Sequence, residues 1–114
     1  MISSPLSNYV RAHRKRLVLS QDEVAFLLGT ESGTQVSRHE NFARVPSLEM
    51  ALAYEAIFQR PTREIFRGLY QRIEGDVATR AKTLVNKMDR CRPTRRNVHK
   101  RQILTNLASN HLPE

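Results

Sequence analysis

Ser20-Gln-Asp-Glu-Val-Ala-Phe-Leu-Leu-Gly-Thr-Glu-Ser-Gly-Thr-Gln-Val-Ser-Arg-His-Glu40 is the stretch whose reading decides the fold. Ser20 followed by Glu23 is a capping box: the serine hydroxyl can accept from the Glu23 amide while the Glu23 carboxylate reaches back. Val24, Ala25, Leu27 and Leu28 then form an inward stripe, and Gly29 supplies a helix stop. Ser32 followed by Gln35 repeats the start signal, so another helix begins only about three residues after the first one ends.

Outward from this pair, the same periodicity continues in both directions. A first helix is expected from about Ser7 to Leu17, with Leu6, Val10 and Leu17 inward and Arg11, Arg14, Lys15 and Arg16 mostly outward. Ser47 caps a fourth, on which Leu48, Ala51, Leu52, Glu55 and Phe58 share one spacing with Ile57 beside them. Pro61 and Thr62 open a fifth carrying Ile65, Phe66 and Leu69. Beyond Gly68, a sixth from about Gln71 to Asp89 presents Ile73, Val77, Ala81, Leu84, Val85 and Met88. A last segment from about Val98 to Leu112 shows Ile103, Leu104, Leu107 and Ala108. No alternating run of four residues competes for a strand, so the fold class is all-α. A short helix, a tight glycine-containing turn and a second short helix are the ingredients of a helix-turn-helix.

The motifs Leu19-Ser-Gln-Asp-Glu-Val-Ala25, Leu28-Gly29, Val36-Ser-Arg-His-Glu40 and Pro46-Ser-Leu-Glu49 resemble, in order and spacing, the helix-turn-helix of the phage Cro and CI repressors and their bacterial Xre relatives. The resemblance covers about Leu6 to Phe66. It implies a five-helix DNA-binding domain with a C-terminal helical extension, acting as a dimeric transcriptional regulator on palindromic operators of double-stranded DNA. It further implies that Gln21 clamps a phosphate at the start of the second helix, and that Arg14 and Glu40 form a structural ion pair between the first and third helices. Three departures stand out, one of them His39, which stands where an apolar residue is usual. One residue more than in the phage repressors separates Gly29 from Val36. Phe42 stands where a glycine is usual, which would put any left-handed position on Asn41.

Helix geometry assigns faces within the third helix. With Val36 inward, Thr34 and Arg38 lie opposite, Gln35 and Ser37 on the flanks, and His39 and Glu40 near the core side. Thr34, Gln35, Ser37 and Arg38 are therefore the candidate base-reading residues: Arg is bidentate to guanine, Gln to adenine, and the Thr methyl packs on that of thymine. Gln35 has an alternative use in the capping box with Ser32. His39 reads as a packed histidine. Asn41, Arg44, Arg11 and Lys15 join Gln21 as candidate phosphate contacts.

Of the 114 residues, 39% are hydrophobic, without Trp, so the core must be small and aliphatic. The formal charge is +8, which directs attention to an anionic partner. That charge is divided unevenly. Residues 1–70, read as the helix-turn-helix domain, carry nine basic and seven acidic side chains, or +2, whereas residues 71–114 carry ten and four, or +6. Arg90 to Arg101 holds six Arg or Lys together with His99 around Pro93, and reads either as a solvated linker near Arg90 to Asn97 or as a phosphate-contacting arm. The two later stripes either fold back on the core or pair with a second chain, and narrow stripes suit pairing. An antitoxin or adaptor, with residues 71–114 holding a protein partner, is the alternative to a repressor homodimer. No enzyme, cofactor or metal is expected: Cys91 is a single thiol, and no glycine-rich loop or ligand spacing is present. No apolar run approaches a membrane span and the N-terminus does not read as a secretory signal, so a cytoplasmic protein without a membrane partner is expected.

Overall fold

The computed structural model describes residues 8–109. Among the described residues the regular elements are seven helices and no strand: α1 (Val10–Arg16), α2 (Gln21–Leu28), α3 (Thr34–Glu40), α4 (Leu48–Phe58), α5 (Thr62–Ile65), α6 (Arg67–Met88) and α7 (Arg95–Ser109). The all-α expectation holds. The expected inward Leu6, the start at Ser7 and the end at Leu112 lie outside the described residues. No described helix is long and apolar enough to cross a membrane.

The polar start signals act locally. Ser20 Oγ accepts from the Glu23 amide at 3.0 Å while Glu23 Oε1 accepts from the Ser20 amide at 2.8 Å, completing the box at α2. Ser47 caps α4 through the Met50 amide. The second expected box does not form. Gly33 is the N-cap of α3, without a side-chain cap, and Ser32 Oγ donates instead to Thr34 Oγ1 at 3.1 Å. Glu55, expected on the apolar stripe of α4, is exposed and starts α5: one carboxylate oxygen accepts from both the amide and the hydroxyl of Thr62. Those two bonds, the hydroxyl's first, hold its carboxyl below the ordinary range.

Among the described residues, 8–70 form one compact unit. Its core is Val10, Val24, Ala25, Val36, Ala51, Tyr54, Phe58, Ile65 and Phe66, with Leu19, Leu28, Ile57 and Leu69 packed on it. Contrary to the expected aliphatic core, its hub is aromatic: the Tyr54 ring stacks on Phe58 at 5.6 Å between centroids and meets Phe66 edge-on at 5.8 Å. Burying Tyr54 sets the rotation of α4 and turns Leu48 and Leu52, expected inward, to 74% and 52% exposure. Leu27 is likewise exposed, because Val24, Ala25 and Leu28 fill one arc of about 100° on α2 and Leu27 falls outside it. Leu17, beyond the last turn of α1, is also exposed.

Four helix ends use a left-handed residue: Val18 (φ 59°), Gly29 (φ 82°), Phe42 (φ 63°) and Gln59 (φ 57°). At α1 the Val18 amide bonds the Lys15 carbonyl and the Leu19 amide bonds the Arg14 carbonyl; at α3 the Phe42 and Ala43 amides bond His39 and Arg38 in the same way. These are Schellman closures. Asn41, expected to take the left-handed position, has φ −90°, because α3 continues to Glu40, Asn41 is its C-cap, and the closing residue is the next one.

Described residues 71–109 form the second compact unit, and the division falls inside α6. Gly68 does not interrupt that helix, which starts at Arg67 rather than Gln71. Ala78 and Ala81 are buried, while Ile73, Val77 and Leu84 are exposed. An ion pair of 2.7 Å joins Asp89 to Arg101. Thr94 Oγ1 accepts from the Asn97 amide, and Asn97 Nδ2 donates to the Arg92 carbonyl, so α7 begins at Arg95, ahead of the expected Val98.

Val18 is 87% exposed, so its side chain gives little packing in return for a backbone conformation that disfavours branched residues. Val18→Gly is expected to raise unfolding free energy by about 0.5–1 kcal/mol, the relief of strain outweighing the greater freedom of the unfolded chain. A urea titration against the parent chain measures it.

Candidate nucleic-acid interface

Helix α3 has a locked face and an open face. Val36, His39 and Glu40 are buried, Gln35 and Ser37 are half-buried, and Thr34 and Arg38 are exposed. Every side chain expected to read bases therefore reaches solvent from one side of a helix whose other side is fixed.

The fixing comes from charge. Glu40 places a carboxylate in the last turn of α3, where the helix dipole already presents its negative end, and the residue is only 7% exposed. Arg14 of α1 answers with a two-pronged contact, Nε to Oε2 at 2.6 Å and Nη2 to Oε1 at 3.1 Å, while its Nη1 donates to the Leu19 carbonyl at 2.9 Å. This bonding to Glu40 raises the Arg14 pKa above its ordinary value, so the guanidinium stays charged. Gln21 Nε2 donates to the same Oε1 at 3.2 Å. One carboxylate thus holds α1, α3 and the first residue of α2.

His39 supports the same face from beneath. It is fully buried, with Nδ1 2.8 Å from the Tyr54 hydroxyl and Nε2 without a hydrogen-bond partner among the described residues. Burial, and secondarily the Arg44 charge, lower the imidazole pKa; an imidazolium here would have a second N–H to satisfy and nothing to take it. Burial, followed by the Glu40 charge, raises the Tyr54 hydroxyl pKa well above the ordinary range. The Asn8 amide adds a bond to the His39 carbonyl at 2.8 Å and its Oδ1 accepts from the Val10 amide, joining the start of α1 to α3.

The turn between α2 and α3 brings two helix starts together. Asp22 Oδ1 accepts from the Gly33 amide at 2.9 Å. A Cβ on Gly33 would lie 2.8 Å from that oxygen, 3.0 Å from Gln21 Cβ and 3.1 Å from the Gln21 carbonyl carbon. Glycine is needed here for close approach rather than for its φ of −70°. The acidic charge in the first turn of α2 is consumed locally, Asp22 by Gly33 and Glu23 by Ser20.

The candidate phosphate contacts have separate settings. Arg11 and Lys15 are exposed on α1, and Arg44 is exposed beyond α3. Asn41 Nδ2 donates to Ser37 Oγ at 3.3 Å, pairing one candidate with another across a helical turn. Gln21 is half-buried and engaged with Glu40. Sequence reading missed Asp22, Gly33 and Tyr54 as positioning residues. Asp22 and Gly33 are eleven residues apart, beyond any helical periodicity, although the glycine just before Thr34 was a usable signal. Among the described residues no group of His, Cys, Asp or Glu is placed to hold a metal ion. Compared with models of protein families, with curated proteins and with solved structures, the chain matches none.

Arg14→Met strands a buried carboxylate and is expected to cost about 3–5 kcal/mol, whereas adding Glu40→Leu restores most of it; far-ultraviolet circular dichroism through a urea titration reads both. Acid weakens the fold through its imidazoles. The folded pKa of His39 is lowered, as is that of His13, chiefly by burial, so their contribution is complete above the ordinary imidazole pKa of about 6.5 and is lost as pH falls below it. Urea midpoints are therefore expected to drop from neutral pH toward pH ~5, and His39→Gln to flatten most of that drop.

Proposed function

We propose that residues 1–70 form a Cro/CI-like helix-turn-helix domain and that the protein is a sequence-specific regulator of transcription, a repressor that binds double-stranded DNA as a homodimer. The observation that supports this most is the open face of α3: Thr34, Gln35, Ser37 and Arg38 project from a helix held rigid on its other side by Arg14, Glu40 and His39. A helix of this size fits the major groove, where Arg38 matches guanine O6 and N7, Gln35 matches adenine, and the Thr34 methyl suits thymine. Arg11, Lys15, Gln21, Asn41 and Arg44 are the groups proposed to hold the flanking phosphates and set the register. With a net charge of only +2 in this segment, preference among sequences rests on placed side chains rather than on bulk attraction. Repression follows from occupying a promoter.

A second reading draws on Ile73, Val77 and Leu84, exposed along α6. They offer a narrow apolar stripe for a second copy or, in an antitoxin or adaptor, for another protein.

Selection from a random duplex pool is expected to enrich a palindrome. Arg38→Ala is expected to weaken binding to that palindrome roughly 5- to 150-fold, matching the loss of one bidentate base contact, and to affect random duplex much less. Equal affinity of the parent chain for selected and random DNA would overturn the proposal. Ile73→Asp with Leu84→Asp separates the two uses of α6. Dimerisation predicts a monomer on sedimentation with lost cooperativity on the palindrome; an adaptor surface predicts unchanged DNA binding.

A further inference from the structure

The second unit concentrates positive charge that the recognition face of α3 does not use. Arg90, Arg92, Arg95, Arg96, Lys100 and Arg101 fall within one turn and the first half of α7. Among the described residues Arg101 alone of these has an ion-pair partner, Asp89.

Their placement on α7 is not that of an idle solvated linker. Asn97, Leu104 and Ala108 are the half-buried residues and mark its inner face. At about 100° per residue, Arg95 lies opposite that face, Arg96 about 100° from its centre and Lys100 about 60° from it, giving a cationic arc over the first two turns that runs from the outer face onto one flank. Thr94 and Asn97 fix the helix start, so the arc is presented in a set geometry. Arg95 and Arg96 stand at the positive end of the helix dipole, with no acidic residue in the first turn to offset it. Those charges oppose the helix that carries them, and a polyanion would relieve the conflict. A membrane-surface helix needs cations and apolar residues on opposite faces; here Ile103 and Leu107 continue the same flank as Arg96 and Lys100.

We propose that the start of α7, through Arg92, Arg95, Arg96 and Lys100, is a second DNA contact that grips the phosphate backbone without reading sequence. It rests on the reading that the chain binds duplex DNA and adds affinity, not preference. The division of labour matches the division of charge: +2 in residues 1–70, +6 in residues 71–114.

The test uses the full chain and a random-sequence duplex of about 30 base pairs, titrated between about 50 and 200 mM salt. Arg92→Gln, Arg95→Gln, Arg96→Gln and Lys100→Gln together are expected to lower affinity at the low-salt end at least ~10-fold and to reduce the slope of log K against log salt by about 2–4, with circular dichroism unchanged. A control with the same charge loss on α6, at Arg72, Arg80, Lys82 and Lys87, is expected to change the slope by less than about 1. If both quadruple variants lose slope equally, only net charge matters and the contact is refuted. If the α7 variant keeps the parental slope, or loses binding only to vesicles of phosphatidylserine and phosphatidylcholine, the contact is likewise refuted. The outcome is separable from that of the sequence-specific reading: a parent chain that enriches a palindrome while the α7 variant keeps its slope sinks this contact alone. A parent chain without preference whose α7 variant loses slope sinks only the other.

Discussion

A carboxylate at the C-terminal end of a helix, nearly out of contact with water, is opposed by both desolvation and the helix dipole, and the first unit is arranged around answering that charge. Glu40 receives both prongs of Arg14 and the amide of Gln21, so the ends of three helices converge on two oxygen atoms. An apolar pair of the same volume could pack as well or better, but it would leave the rotation of α3 to shape alone. The ion pair specifies rotation, and rotation decides which side chains of α3 face out. The link from packing to the exposed face of α3 therefore runs through charge geometry more than through buried area.

Much of this unit was legible because its signals are short-range. The Ser20 to Glu23 box and the Ser47 cap need only residues three apart, and the structure has both. Legibility failed where a distant contact overrode a local preference. Ser32 and Gln35 had the right spacing for a cap, but Gly33 must sit against Gln21 and Asp22, which makes Gly33 the cap and diverts Ser32 to Thr34. On α4, apolar residues occur on every side, so periodicity could not choose among them; the aromatic cluster of Tyr54 with Phe58 and Phe66 chose, leaving Leu48 and Leu52 outside. The faces of α3 were predictable because Val36 is its one aliphatic side chain. For α7, the run of arginines resembled a linker, and only the paired bonds of Thr94 and Asn97 reveal a helix start.

Recognition and retention make different demands on a DNA-binding chain. Base reading needs few charges, rigidly held and individually placed, whereas holding a duplex needs many charges with little regard to order. Under the proposed function the two demands fall on separate stretches, and α6 runs through the division at residue 70.

The strained turn at Val18 bears on how the first unit comes apart. Leu19, directly after it, is tied to Arg14 twice: its amide donates to the Arg14 carbonyl, and its carbonyl accepts from the Arg14 guanidinium. The peptide that closes α1 is thus also a support of the ion pair, and across that pair the closure of α3 hangs the Ala43 amide on the Arg38 carbonyl, two residues before Glu40. Loosening either turn releases the charge that holds the other. Hydrogen exchange at the Leu19 and Ala43 amides is consequently expected to follow a single opening, in which α3 is freed as part of a block rather than frayed from its end.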